Sequence, residues 1–140
     1  MLKFEGVVTS GLQKAGNFMK KPTYRKQYLE KLGFIPFYGT LNIKLDEDFE
    51  INLKEEFNEE LKIIHGNNTL GDVYFLNAEI LTYDQNIKKK GAILFPIKTV
   101  HKIETIEFIA SEKLRERMML EDNTKVIIQL NKNQKTTKNI

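Results

Sequence analysis

Apolar residues recur at every second position in several short stretches of this chain. Leu2, Phe4 and Val8 fall on one face of residues 2–9, as a half-buried β-strand requires. Gly39–Leu45, Leu61–His65, Val73–Thr82, Gly91–Phe95 and Lys125–Leu130 also read as strands. Residues 103–110 alternate, with Ile103, Thr105, Glu107 and Ile109 on one face and Glu104, Ile106, Phe108 and Ala110 on the other. The period changes over Pro22–Leu32, where Tyr24, Tyr28 and Leu32 recur at every fourth position. Pro22 suits the first turn of a helix there and Gly33 its stop. Ser111 is a candidate N-cap for a second helix from Glu112 to about Leu120, in which Leu114 and Met118 pair at i, i+4.

Polar stretches punctuate these elements. Ser10–Asn17 reads as a loop, Gly66-Asn67-Asn68 as a turn, and Asp84–Lys90 as a turn capped by Lys88-Lys89-Lys90. Asp46–Glu60 is acidic and weakly patterned, which predicts a surface excursion. Asn131–Ile140 is polar and rich in Lys and Asn, which predicts a disordered tail after a single domain over residues 1–130. Many short strands, turn signals and two short helices predict a mainly-β barrel.

Composition narrows the chemistry. At 140 residues, one domain can bury a real core without staples. There is no cysteine, so disulfides, thiolate nucleophiles and thiolate-ligated zinc are excluded. No apolar run approaches the length of a membrane span, and residues 1–6 lack a signal-peptide core; a cytoplasmic protein is expected. A net charge of +3 allows a phosphate-bearing substrate without demanding nucleic acid. The lysines are spread along the chain with no aromatic-basic RNA motif, so nucleic acid is not expected as a partner. With nine Phe, five Tyr and no Trp, ring stacking on a ligand would fall to Phe or Tyr.

The most specific stretch is Gly33-Phe34-Ile35-Pro36-Phe37-Tyr38-Gly39-Thr40-Leu41-Asn42. Thr40 and Asn42 lie two apart, so a strand turns both to one face, away from Leu41, Ile43 and Leu45. Their side-chain oxygens are hard and neutral. Such a pair suits a Mg²⁺ ion that keeps several waters and draws its remaining charge from substrate phosphates. Spacing alone equally allows ordinary polar alternation on a half-exposed strand.

Extended to Leu32 and Leu45, this stretch resembles the signature of the archaeal-type CTP-dependent riboflavin kinases, L-G-F-x-P-[YF]-x-G-T-L-N-[LVI]-K-L. Ser10-Gly11-Leu12, Pro96-Ile97-Lys98-Thr99, Ile106-Glu107-Phe108-Ile109-Ala110 and Lys113-Leu114-Arg115 match in the same order. The resemblance covers roughly residues 4–130. It implies a six-stranded cradle-loop β-barrel with ligand-binding loops at its mouth. It also implies Mg²⁺ on Thr40 and Asn42, flavin contacts from Thr99 and Glu107, and nucleotide contacts from two stretches. The first is the loop Gly11, Leu12, Gln13, Lys14, Ala15, Gly16 and Asn17. The second is Glu112, Lys113, Leu114 and Arg115 at a helix start.

The loop departs from the family form S-G-[LM]-G-x-G. Gln13 and Ala15 stand where glycines are expected, and Gly16 falls one position late. Glycine there permits φ > 0 and close approach of backbone N–H groups to phosphate. Lys14 offers a point charge instead. Glu107 shares a strand face with Ile103, Thr105 and Ile109, so it is expected to be paired or functional; it is also a candidate base for the attacking hydroxyl. His101 and His65 read as ordinary surface residues. Asn42 is expected to face solvent, so that its truncation would spare the fold.

The expected function is CTP-dependent phosphorylation of riboflavin to FMN, with CDP released, by a monomer that engages neither membrane nor nucleic acid. The alternative is a non-catalytic barrel that binds a flavin or a nucleotide without turnover. Some family members carry an N-terminal winged helix-turn-helix domain. This chain opens on the first barrel strand, so transcriptional control by it is not expected.

Overall fold

In a computed structural model, the structure describes residues 1–10, 20–37, 39–96 and 104–132. Seven strands and three helices lie among them. The strands are β1 (Leu2–Thr9), β2 (Leu41–Leu45), β3 (Lys62–Ile64), β4 (Val73–Thr82), β5 (Lys88–Pro96), β6 (Thr105–Ile109) and β7 (Lys125–Leu130). The helices are α1 (Pro22–Leu32), α2 (Leu53–Glu56) and α3 (Leu114–Arg117).

All pairings are antiparallel, in the order β3-β4-β5-β6-β2-β1-β7, and a further β4–β7 pairing closes the ring. The closed circuit therefore runs β4-β5-β6-β2-β1-β7 and holds six strands, as expected. The seventh, β3, stands outside it. It borrows the first half of β4, with Ile64 opposite Val73, while β7 takes the second half, with Glu79 opposite Gln129. Closure leaves the circuit without free edges.

The inward face carries Phe4, Val8, Ile43, Ile80, Ile93, Phe108 and Ile128 in one apolar cluster. A second core lies on the outside of the wall. There α1 lays Tyr24, Tyr28 and Leu32 over Phe75, Ala92, Leu94 and Ile109. The local signals behind α1 were sound: Pro22 opens it, and Gly33 closes it at φ 86° in the left-handed region. Gly91 marks the tightest point of the wall, since a Cβ there would sit 2.2 Å from the Ile109 carbonyl oxygen.

Three expectations need correction. The acidic stretch after β2 is no mere surface excursion. Asn52 caps α2 by accepting from the Glu55 N–H at 3.3 Å, and Leu53 and Phe57 enter the barrel cluster. Lys88-Lys89-Lys90 belongs to β5 rather than to the turn; the turn itself is closed by Thr82 N–H to Ile87 O and by Gln85 at φ 64°. The last helix is only four residues long, its cap is Lys113 rather than Ser111, and no side chain caps it. Leu114, Met118 and Leu120 must all reach the core, and a positive φ at Met119 redirects the chain so that Leu120 does.

One tie was not foreseen. The Gln27 amide donates to His65 O at 2.7 Å and accepts from His65 N–H at 2.8 Å, which fixes α1 to the end of β3. Gln27→Ala is expected to lower the denaturant-derived stability by about 1–2 kcal/mol, the worth of two such bonds in a partly exposed setting. A change below about 0.3 kcal/mol would show that α1 is held by its apolar face alone.

Candidate active site

β2 and β6 run side by side, and their register carries the site. Asn42 lies opposite Glu107, and on the other side of β2 Thr9 lies opposite Asn42. Opposed residues share a face. Leu41, Ile43 and Phe108 point inward, so Thr9, Asn42 and Glu107 form an outward row, with Leu94 of β5 beyond Glu107. Thr40, two residues before Asn42, joins that face.

The Thr40 hydroxyl donates to Glu107 Oε1 at 3.1 Å. Glu107 was expected to be paired or functional, and this bond pairs it with a predicted site residue. Donation to Glu107 leaves the Thr40 oxygen lone pairs available to another group. Thr40 and Asn42 are each only 7% exposed and are the buried polar residues of the described chain. The expectation that Asn42 faces solvent is therefore corrected: strand alternation gives the face, and neighbouring structure covers it. The Asn42 amide makes no hydrogen bond to any described residue. Among the described residues no buried side-chain nitrogen or oxygen lacks a partner, so the amide carries no orphan's penalty and its fit to a ligand rests on the chemistry of its oxygen. It fits a hard cation, which an amide oxygen can ligate. Among the described residues no group of three or more His, Cys, Asp or Glu is gathered for a metal. A cation here would draw on neutral oxygens and on a ligand's own charge.

Thr40 also opens into a cleft of about 300 Å³. Its walls include Phe37, Gly39, Phe108 and Ala110 on one side, and Glu112, Lys113, Leu114 and Arg115 on the other. Residues 37–41 and 108–115, some seventy positions apart in the chain, thus meet in one recess. Phe37 anchors the near wall through its N–H to Ala110 O at 2.8 Å, while the residue stays 43% exposed. A larger groove of about 510 Å³ on the outer wall, lined by Asn77, Glu79, Lys90 and Gln129 among others, contains none of the predicted site residues.

The charges on the far wall are ordered by one another. Arg117 donates to Glu112 at 3.0 Å and Lys89 lies 3.5 Å from the same carboxylate. The Arg117 hydrogen bond is the main reason that Glu112 ionises below its usual range. Arg115 donates to Asp122 at 2.7 Å, and Ser10 donates to the same carboxylate at 2.7 Å. These bonds, Arg115's first, hold the Asp122 carboxyl below its ordinary range. Glu112 and Lys113 precede α3, and so short a helix provides no dipole site; any anion binding here rests on side chains. Asp122 escaped the sequence reading because its partners Ser10 and Arg115 are brought to it only by the fold. The predicted loop Gly11–Asn17, Thr99 and His101 lie outside the described residues.

The comparisons with known proteins agree on one family. Residues 8–130 match the family model for CTP-dependent riboflavin kinases, described as a domain of unknown function, DUF120. The chain belongs to this family. It is 58% identical over 132 residues to the riboflavin kinase of Methanosphaera stadtmanae, covering 94% of this chain and all of that protein. Similarity extends to the riboflavin kinase of Methanobrevibacter smithii, at 35% over 91% of this chain and 99% of that one. The riboflavin kinase of Methanothermobacter thermautotrophicus is 36% identical over 86% of this chain and 93% of its own. Among the described residues no helix is long and apolar enough to cross a membrane.

Proposed function

We propose that this chain transfers the γ-phosphoryl group of CTP to the 5′-hydroxyl of riboflavin, giving FMN and CDP, as a monomer in the cytoplasm. The observation that carries the reading is the joining of Thr40, bonded to Glu107, with Lys113 and Arg115 across a single cleft.

In the proposed mechanism the O5′–phosphorus bond forms as the bond from phosphorus to the β,γ-bridging oxygen breaks, and that electron pair leaves with CDP. Thr40 and Asn42 are the residues that would hold a Mg²⁺ ion, which when bound supplies neutralising charge for the phosphate oxygens. Lys113 meets phosphate as a point charge and Arg115 as a planar fork. Glu107 accepts the Thr40 hydroxyl proton and so fixes which way that oxygen faces. It also orients the attacking hydroxyl and takes up its proton late, because a loose phosphoryl-transfer transition state gains little from a strong base. Thr99 is assigned to the flavin and Gly11–Asn17 to the nucleotide.

The test is a chromatographic assay for FMN, with riboflavin, Mg²⁺ and either CTP, ATP, GTP or UTP. FMN from CTP and not from ATP is the expected result. Gln13 and Ala15, standing where the family signature has glycines, favour one other reading, a barrel that binds flavin or nucleotide without turnover. Folded protein that forms no FMN from any donor would decide for it.

A further inference from the structure

Asp122 joins two stretches to which the proposed reaction assigns the nucleotide, one through Arg115 and the other through Ser10. It accepts from Arg115 Nη2 at 2.7 Å, and the same nitrogen lies 3.4 Å from the main-chain oxygen of Thr9. The Ser10 hydroxyl spans both carboxylate oxygens, at 2.7 and 3.0 Å. Ser10 is the residue from which the chain enters Gly11–Asn17, and Arg115 lines the cleft.

The carboxylate is itself held in place. Glu121–Thr124 forms a turn closed by Thr124 N–H to Glu121 O at 3.1 Å and by Glu121 N–H to the Thr124 hydroxyl at 3.0 Å. Asn123, at φ 73°, supplies the left-handed residue that Asn tolerates. The turn is fastened to the end of β1 by Asn123 N–H to Val8 O at 2.7 Å and Val8 N–H to Thr124 O at 2.9 Å.

We propose that Asp122 is a positioning residue for the nucleotide phosphates, which fixes Arg115 and Ser10 in one arrangement before substrate binds. The inference rests on the kinase reading above. An arginine carries five N–H donors, and Asp122 with Thr9 engages only one of its nitrogens. The rest of the fork is left for phosphate, already ordered, so less rotamer freedom is lost on binding. A bare carboxylate beside a triphosphate would repel it. Here Arg115 is its counterion, and the pair meets the triphosphate as a near-neutral unit beside Lys113, which itself lies 3.4 Å from Glu116.

The experiment compares wild type with Asp122→Ala, Asp122→Asn and Arg115→Ala, alone and combined. It reads KM and kcat for CTP and for riboflavin, calorimetric binding of Mg-CTP without riboflavin, and the thermal midpoint. Asp122→Ala is expected to raise the CTP KM and Kd about tenfold, the loss of one charge-assisted bond, while the riboflavin KM stays within about twofold. Asp122→Asn should recover most of the affinity, since its carbonyl still accepts from Arg115. Asp122→Ala should add little to Arg115→Ala, because the two act as a unit. An unchanged CTP constant overturns the proposal. So does a parallel rise in both KM values with a lowered midpoint and no recovery in Asn, which marks a merely structural residue. Wild type that binds Mg-CTP but makes no FMN overturns the kinase reading alone, and the calorimetric series still judges Asp122. Wild type that binds no nucleotide overturns both.

Discussion

Asn42→Ala is expected to cut Mg²⁺-dependent FMN formation by at least about 100-fold, a loss larger than second-sphere changes around metals usually cause, while leaving the protein folded. The two halves of this expectation have separate grounds. Activity falls because the buried amide beside Thr40 is one of the two neutral oxygens that the strand presents together. Stability holds because that amide makes no hydrogen bond to a described residue. Its loss breaks no hydrogen bond among the described residues, where no buried side-chain polar atom is left without a partner, and leaves a cavity of only a few atoms. The change in unfolding free energy should stay within about 1 kcal/mol in either direction. A Mg²⁺ titration of the initial rate, beside a denaturant curve, reads both. Equal activity in the variant would remove the metal assignment from Asn42. A loss of activity with a stability drop of about 3 kcal/mol or more would mean that the amide is structural.

How far the sequence spoke depended on how local each cause was. α1 was readable to the residue, because Pro22, the four-residue rhythm of Tyr24, Tyr28 and Leu32, and Gly33 are all local rules. β1 and β6 followed from alternation, which a strand with one buried face enforces, whereas β4 and β7, also read as strands, bury successive residues on both faces. α2 was hidden because its amphipathicity rests on Leu53 and Phe57 within a run of acids, and only the barrel's end gives that pair somewhere to go. β3 was visible as a strand, but its place outside the closed circuit was not, since β4 divides its edge between two partners. At the site, spacing gave the shared face of Thr40 and Asn42. Their burial and the Thr40–Glu107 bond needed the β2–β6 register. Asp122 shows the limit of such reading: it meets Ser10 across 112 positions, and nothing in the local pattern of Glu121–Thr124 beyond a turn announces that partner.

Glu107 separates two roles that one substitution would confuse. Its carboxylate accepts the Thr40 proton at 3.1 Å, and it is also the assigned flavin contact and proton acceptor. Glu107→Gln keeps an oxygen that can accept from Thr40 and from a ribityl hydroxyl, but it cannot take a proton. Glu107→Ala removes both functions. If orientation dominates, as a loose transition state implies, kcat in Gln should fall by no more than about tenfold, and in Ala by about 100-fold or more. The Ala variant should also show a weaker Mg²⁺ dependence, because the Thr40 hydroxyl is then free to turn its proton toward the site where its lone pairs were needed. If proton acceptance dominates, Gln and Ala should be equally slow, and the residual rate should rise with pH as hydroxide takes over the role. Single-turnover rates for both variants, measured across a pH series at saturating CTP, riboflavin and Mg²⁺, distinguish the two. Unchanged kinetics in both variants would remove Glu107 from the reaction and leave its bond to Thr40 as a feature of the fold.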